Sequence, residues 1–182
     1  GIMQKIILSV SLLIFSCNNS IESEDCAGVA GGNSIEDDCG VCDSNLSNDC
    51  MDCITYFDFF QSSQQAFYHF NNVTINDINI SAEDTVAAFK GDICVGTLSW
   101  DTSVCGGGVC AVPVMGYDSF LSEETAGYMQ SGDIPTFKIY DVSDSLIYNA
   151  IPDSIVPWIN MGVPLFSTLE ADITSAAPCK LE

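Results

Sequence analysis

TVAAFKGDICVGTLSW, residues 85–100, divides into two β-rich runs, Thr85 to Lys90 and Ile93 to Trp100, on either side of Gly91-Asp92. A short Gly/Asp turn between β-branched, apolar runs is a hairpin signal, since glycine tolerates the backbone angles that a tight turn demands. The pattern repeats along the chain. Upstream, Tyr56-Phe57-Asp58-Phe59-Phe60 and Gln65-Ala66-Phe67-Tyr68-His69-Phe70 are strand-like, with Asn71-Asn72 expected to break the run. Val73 to Ile80 alternates in part, as a half-buried strand does. Downstream, Cys110 to Met115 is another short strand, and Pro135 to Val142 with Leu146 to Ile151 predict a hairpin around Ser143-Asp144-Ser145. Helical periodicity is faint, between Phe120 and Met129, and the tail from Pro152 is proline-punctuated with room for one more strand. Short strands at regular spacing predict a mainly β fold, an antiparallel β-sandwich over residues 54–178 with a tail at 179–182.

The 182 residues suit one modest domain with appendages, and the 47% hydrophobic content supplies a core. Charge is the unusual feature: 25 acids against four lysines and no arginine, a net −21. Such a chain has almost nothing with which to neutralise phosphates, so nucleic acid is excluded as a partner, and anionic lipid surfaces are disfavoured. Cations are its natural counter-partners, hard ones such as calcium above all, because carboxylate and carbonyl oxygens abound. The same charge also serves solubility alone.

The N-terminus is an address. Lys5 forms a short positive region, Ile6 to Phe15 is mostly apolar, and Ser16 precedes Cys17. This is too short for a permanent membrane span and has signal-peptide flanks. Ile14-Phe15-Ser16-Cys17 resembles a bacterial lipobox, which implies a signal peptide over residues 1–16, cleavage before Cys17 and lipidation of Cys17. Asn18-Asn19 after that cysteine, by analogy with enterobacterial sorting, favours the outer membrane of a Gram-negative cell. The lipid anchor then makes the membrane a partner, with residues 17–24 as a polar tether.

Residues 25–53 carry Cys26, Cys39, Cys42, Cys50 and Cys53 among glycines and acids, without Lys, Arg or a long apolar run. The segment cannot fold by burial alone; cross-links or cations must order it. Two chemistries compete for its sulfurs. Cys39-x-x-Cys42 and Cys50-x-x-Cys53 have the spacing of a four-thiolate zinc site, but an exported chain meets an oxidising compartment, so disulfides are expected over zinc. A thioredoxin-like role for Cys39 and Cys42 lacks the surrounding βαβ pattern, and no haem-attachment motif is present. Asp37, Asp38, Asp43, Asn45, Asp49 and Asp52 supply oxygens at short intervals, the candidate calcium ligands. The elements Asp25-Cys26-Ala27-Gly28-Val29-Ala30-Gly31-Gly32 and Asp37-Asp38-Cys39-Gly40-Val41-Cys42 resemble the cysteine-framed acidic repeats, thrombospondin type 3-like in style, of marine bacterial surface proteins. The resemblance implies calcium binding as well. Residues 84–141 look like a secreted β-domain common in predicted marine bacterial proteins, which implies architecture and export without an activity.

In the β region Cys94, Cys105 and Cys110 are disulfide candidates, Cys105 to Cys110 and Cys94 to Cys105 being alternatives. Nine cysteines remain once Cys17 is set aside, an odd number, and isolated Cys179 is the first candidate for the unpaired or intermolecular thiol. No catalytic apparatus stands out: His69 is the lone histidine and lies in an aromatic strand, no G-x-S-x-G elbow accompanies it, and no glycine-rich loop suits a nucleotide. The reading is non-enzymatic. Trp100, Tyr117, Tyr140 and Trp158 could form an aromatic platform for a glycan, and Asp101, Asp118 and Asp133 could hold a structural cation near the turns. The leading expectation is a surface lipoprotein with a calcium-stabilised spacer and a β-sandwich for adhesion or ligand binding, its partner a glycan or cell-surface protein. The alternatives are a glycan-binding accessory module and, from another class, a secreted hydrolase fragment or thiol-redox protein.

Overall fold

The structure, a computed structural model, describes residues 23–36, 42–44 and 51–180. It is mainly β. Two short strands, β1 (Ile35–Glu36) and β2 (Cys42–Asp43), pair antiparallel within the acidic segment. Next come β3 (Met51–Asp52) and one helical turn, α1 (Cys53–Tyr56). The remaining strands are β4 (Gln65–Ile75), β5 (Ile78–Asn79), β6 (Thr85–Lys90), β7 (Ile93–Ser99), β8 (Cys110–Met115), β9 (Thr136–Asp141), β10 (Leu146–Pro152) and β11 (Leu165–Lys180).

These strands form one curled, mixed sheet, in which the expected antiparallel pairing holds except where β11 meets β4 and β3. Its order is β5-β4-β11-β10-β9-β6-β7, with β8 along β4 and β3 along β11. The hairpins β6–β7 and β9–β10 form as their turn residues predict, and β6 also pairs antiparallel with β9. The departure is β11, which runs parallel to β4 with Leu165 opposite His69 and Glu170 opposite Thr74. A long strap, residues 153–164, carries the chain from the end of β10 back to the start of β4, so β11 sets off in the direction of β4. Alternation reports which face a side chain takes, not which way its neighbour runs. The sheet then curls until β7 meets β8: a Cβ on Gly96 would lie 1.7 Å from the carbonyl oxygen of Pro113. Pro113 has no N–H to offer a ladder, so this seam closes by contact.

Asn71-Asn72 does not break β4. Both asparagines are exposed, and the inward positions step from Phe70 to Val73 while β11 steps from Phe166 to Leu169 beside them. The two strands change phase together, so their shared ladder survives. The turn falls later, at Asn76 and Asp77, both with positive φ, which asparagine and aspartate tolerate better than most residues.

Alternation sorts the side chains into two cores. Inside the curl lie Tyr68, Phe70, Val86, Val95, Trp100, Phe137, Ile139, Phe166 and Leu169. On the outer face, Ala87, Phe89 and Cys94 form one small cluster and Tyr140, Ile147 and Cys179 another. Tyr56 and Phe57 pack on both clusters, and Phe59 on the first. The aromatic run at residues 56–60, strand-like by composition, is therefore a cover: after α1 it lies across the outer face, and its rings rather than a backbone ladder hold it there. The stretch between Phe120 and Met129 is a short 3-10 turn at Ser119–Leu121 followed by turns. Among the described residues no helix is long and apolar enough to cross a membrane.

Two buried carboxylates tie the loops. Asp84 accepts hydrogen bonds from the backbone N–H of Ser81 (2.7 Å) and of Val142 (3.0 Å), joining the start of β6 to the end of β9. Asp118 accepts from the Ser63 hydroxyl and from the N–H groups of Ser63 and Phe120; those donors, the hydroxyl foremost, hold its carboxyl below the usual range. Unpaired, either group would carry a heavy desolvation penalty.

Candidate functional site

The acidic segment is partly in view. Cys17, Cys39, Cys50, Asp37, Asp38, Asn45 and Asp49 lie outside the described residues. Within them, Cys26 is bonded to Cys42 across a Cα–Cα distance of 5.7 Å. The turn beside that bridge is built on Asp25. Its Oδ1 accepts from the N–H groups of Ala27 (3.1 Å) and Val29 (2.8 Å), and its Oδ2 from that of Ser34 (3.2 Å). The Val29 donor leads in lowering the Asp25 carboxyl below its ordinary value. A side-chain acceptor organises backbone whose apolar residue Val29 stays 54% exposed, so burial contributes little there.

In the β region the bridge is Cys105 to Cys110, closing the Gly106-Gly107-Gly108 loop. Gly107 and Gly108 both take positive φ, which the short loop requires. Two cysteine expectations are corrected. Cys179 is disulfide-bonded, on a strand lying parallel beside β3 with Cys179 opposite Met51. Cys94, expected to be a bridging candidate, is the free thiol among the described residues. It sits under the aromatic cover at 5% exposure, its Sγ 3.5 Å from the Phe57 carbonyl oxygen. Cys105 and Cys110 face the inner core, whereas Cys94 points to the outer face, so the sheet itself separates them.

Burial pushes the Cys94 thiol up to about 11 from its ordinary 9.0, and pushes the Tyr56 and Tyr68 hydroxyls up to about 12 from 10.0. These groups keep their protons in the folded chain at pH values where the unfolded chain has lost them. The stability they lend is thus complete below about pH 9 and drains away as pH rises through the folded values. The urea midpoint is expected to fall steadily between pH 9 and 11, and Cys94→Ala should flatten that fall. Ellman's reagent at pH 8 should find Cys94 unreactive until urea unfolds the chain. Rapid native reaction would mean the cover does not seal it.

The aromatic candidates do not assemble into a platform. Trp100, Tyr140 and Trp158 are each at most 5% exposed, and only Tyr117 reaches solvent, at 39%. Trp158 donates its indole N–H to the Val114 carbonyl (2.9 Å) and fills the space over Gly116, where a Cβ would meet the ring at 2.4 Å. Trp100 packs on Phe70 at 6.4 Å between ring centres. Large rings beside an unfilled interior are worth more in the core than on the surface. Asp101, Asp118 and Asp133 serve three separate loops: Asp101 binds the Ser103 hydroxyl and N–H, and Asp133 pairs with Lys90 at 2.5 Å. Among the described residues no group of three or more His, Cys, Asp or Glu side chains is placed to hold a metal ion. His69 lies on β4 with its Nδ1 3.0 Å from the Phe67 carbonyl of the same strand.

What the fold does present is a cleft where the strap crosses the end of the curl. It encloses about 260 Å³ between Ile134–Phe137, Ala150–Pro152 and Ser154–Val156, and Tyr68 and Phe166 also line it. Tyr68 and Phe166 stack at 5.8 Å with 14° between their planes, and Phe137 lies tilted against Tyr68 at 5.6 Å. The Tyr68 hydroxyl donates to the Val156 carbonyl (3.1 Å), so this potential anchor is spent on the strap. A second cleft of about 290 Å³ lies on the other side of Tyr68 and Val156, toward Ile159, Gly162 and Pro164.

The strap is held at both ends and in the middle. The Asp153 N–H donates to the Thr168 carbonyl, while its Oδ2 accepts from the Ser167 N–H. The Trp158 N–H donates to the Asp133 carbonyl (2.7 Å), and the Met161 N–H to the Gln65 carbonyl (2.7 Å). The cleft residues were not foreseen. Their sequence signal is the cluster of isoleucines among prolines at residues 151–164, too irregular to read as strand or helix. Comparison with protein-family models, curated proteins and solved structures finds no match to this chain.

Proposed function

We propose that this chain is an exported, lipid-anchored surface protein of a Gram-negative bacterium. In this reading residues 25–53 are a disulfide-linked, calcium-stabilised spacer, and the β unit is a non-catalytic module for adhesion or ligand binding. The observation that carries the reading is the state of the cysteines. Cys26, Cys42, Cys105, Cys110 and Cys179 are all in disulfides, a chemistry that the reducing cytosol opposes and an exported compartment favours. The lipobox-like stretch ending at Cys17 agrees with it, and the net −21 agrees with attachment by acyl chains rather than by charge. For the spacer, Asp37, Asp38, Asp43, Asn45, Asp49 and Asp52 are the oxygens that would take calcium. His69, bonded within its own strand, supports no acid–base role. A glycan platform is not favoured, since three of its four rings belong to the interior.

The test is fractionation of a Gram-negative host expressing the parent chain and Cys17→Ala. The parent is expected in the membrane fraction and the variant in the soluble fraction. Equal partitioning of the two would sink the anchor. Calorimetry on the oxidised protein then checks the spacer: saturable calcium binding near millimolar is expected, and a flat titration removes calcium from the reading.

A further inference from the structure

Building on the reading of the β unit as a binding module, we propose that the cleft under the strap takes a small, uncharged molecule built on a single apolar ring. Five observations converge on it. The first is size. Apolar cavities of about 150 Å³ accept benzene, so about 260 Å³ suits a substituted single ring of roughly ten non-hydrogen atoms. The second is chemistry. Apart from the rim hydroxyls of Thr136 and Ser154 and the occupied hydroxyl of Tyr68, the lining side chains are hydrocarbon, with no carboxylate or amine among them. That is unusual in a chain with 25 acids.

The third is that the chain leaves the space open although it has the means to fill it. Ile155 borders the cleft yet is 73% exposed, and Ile134 and Ile151 also stand exposed at the rim. The bonds that pin Asp153 and Trp158 fix the strap around Ile155 and keep it from collapsing inward. Water gains few hydrogen bonds there, so an apolar occupant displaces it at a profit and covers the isoleucines. The fourth is charge. Asp153 adjoins Pro152 at the rim, and Glu170 and Asp172 line a neighbouring cleft that shares Ile151 and Pro152 with this one, so the surroundings repel an anionic group. The fifth is the backing: Tyr68 and Phe166, stacked on each other and only 1% and 2% exposed, put aromatic carbon behind the cleft, which suits a ring better than a chain.

The test titrates the oxidised full chain with 4-methylanisole, a neutral ring, and with 4-methylbenzoate, its anionic counterpart, followed by amide chemical shifts. The neutral probe is expected to bind saturably, with shifts centred on Phe137, Ala150 and Phe166, and the benzoate at least tenfold more weakly. Ser154→Trp, which fills the mouth, and Ile155→Asp, which charges the rim, should each weaken the neutral probe at least tenfold. Both positions are exposed, so unfolding midpoints should match the parent; should one variant fail to fold, the other decides. No saturable binding, equal binding of the two probes, or binding unaffected by a folded variant overturns the proposal. Shifts centred on Ile159 and Pro164 would also overturn it while leaving the binding-module reading intact. The fractionation and calcium results bear on the anchor and spacer alone.

Discussion

Replacing Phe70 with alanine is expected to destabilise the β unit by about 3–5 kcal/mol, the upper range for a single truncation in a core. Phe70 has no exposed surface and sits where three other rings meet. It lies edge-on to Phe137 at 5.2 Å, stacked on Phe166 at 5.0 Å and tilted against Trp100 at 6.4 Å. Those partners come from β9, from β11 and from the end of the β6–β7 hairpin, so one side chain joins distant parts of the sheet. Its removal loses the burial of a large ring and leaves a space that the ladders on both sides of β4 prevent from closing. For a chain of this size the midpoint of thermal unfolding should fall by roughly 6–20 °C. A loss under about 1 kcal/mol, measured by urea unfolding of the oxidised protein, would mean that the interior is not packed around this ring.

Gly96→Ala is expected to cost about 3 kcal/mol, although alanine adds only one methyl group and suits a strand no worse than glycine. The added Cβ would fall 1.7 Å from the Pro113 carbonyl oxygen and 2.8 Å from its carbonyl carbon. Both are backbone atoms of β8, pinned on its other side by the ladder to β4 with Phe67 opposite Pro113. No rotamer change relieves such a clash; the seam between β7 and β8 has to open, which places the cost at the upper end for overpacking. Gly91→Ala is the control. Its φ of 60° brings strain, but a Cβ there meets nothing within 4 Å, so its cost is that of a turn alone, about 1 kcal/mol. Equal losses at the two glycines would mean that the curl does not close at this seam.

Both positions show where local reading runs out. Gly96 stands inside a run that reads well as a strand, and an interior strand glycine does signal close backbone approach. Which backbone approaches is a separate matter, because Pro113 lies on a strand that never pairs with β7. Phe70 is plainly apolar, but the Asn71-Asn72 pair after it suggests an end to the strand rather than its middle. The ladder to β11, brought there by the strap, overrides those asparagines. Trp100 and Trp158 illustrate the same limit from the other side. As residues they suit a binding surface or a core equally, and the choice rests on whether an unfilled interior lies beside them.

Composition and local pattern by themselves determined the β character of the chain. They also located the hairpins at Gly91-Asp92 and Ser143-Asp144-Ser145, and marked residues 25–53 as a segment for cross-links or cations to order. Each of these depends on residues close in sequence: turn chemistry, alternation, or a lack of apolar side chains. The tertiary structure alone decided that β11 runs parallel to β4, that Cys105 joins Cys110 while Cys94 stays free, and that three of four aromatic candidates are interior. It also decided that a cleft remains beneath the strap. Apart from the local Cys105–Cys110 bridge, these are properties of long-range pairing. The free energy of a strand is nearly the same for several neighbours, and only the closing of the whole sheet, with its rings packed and its loops tied by Asp84 and Asp118, selects among them.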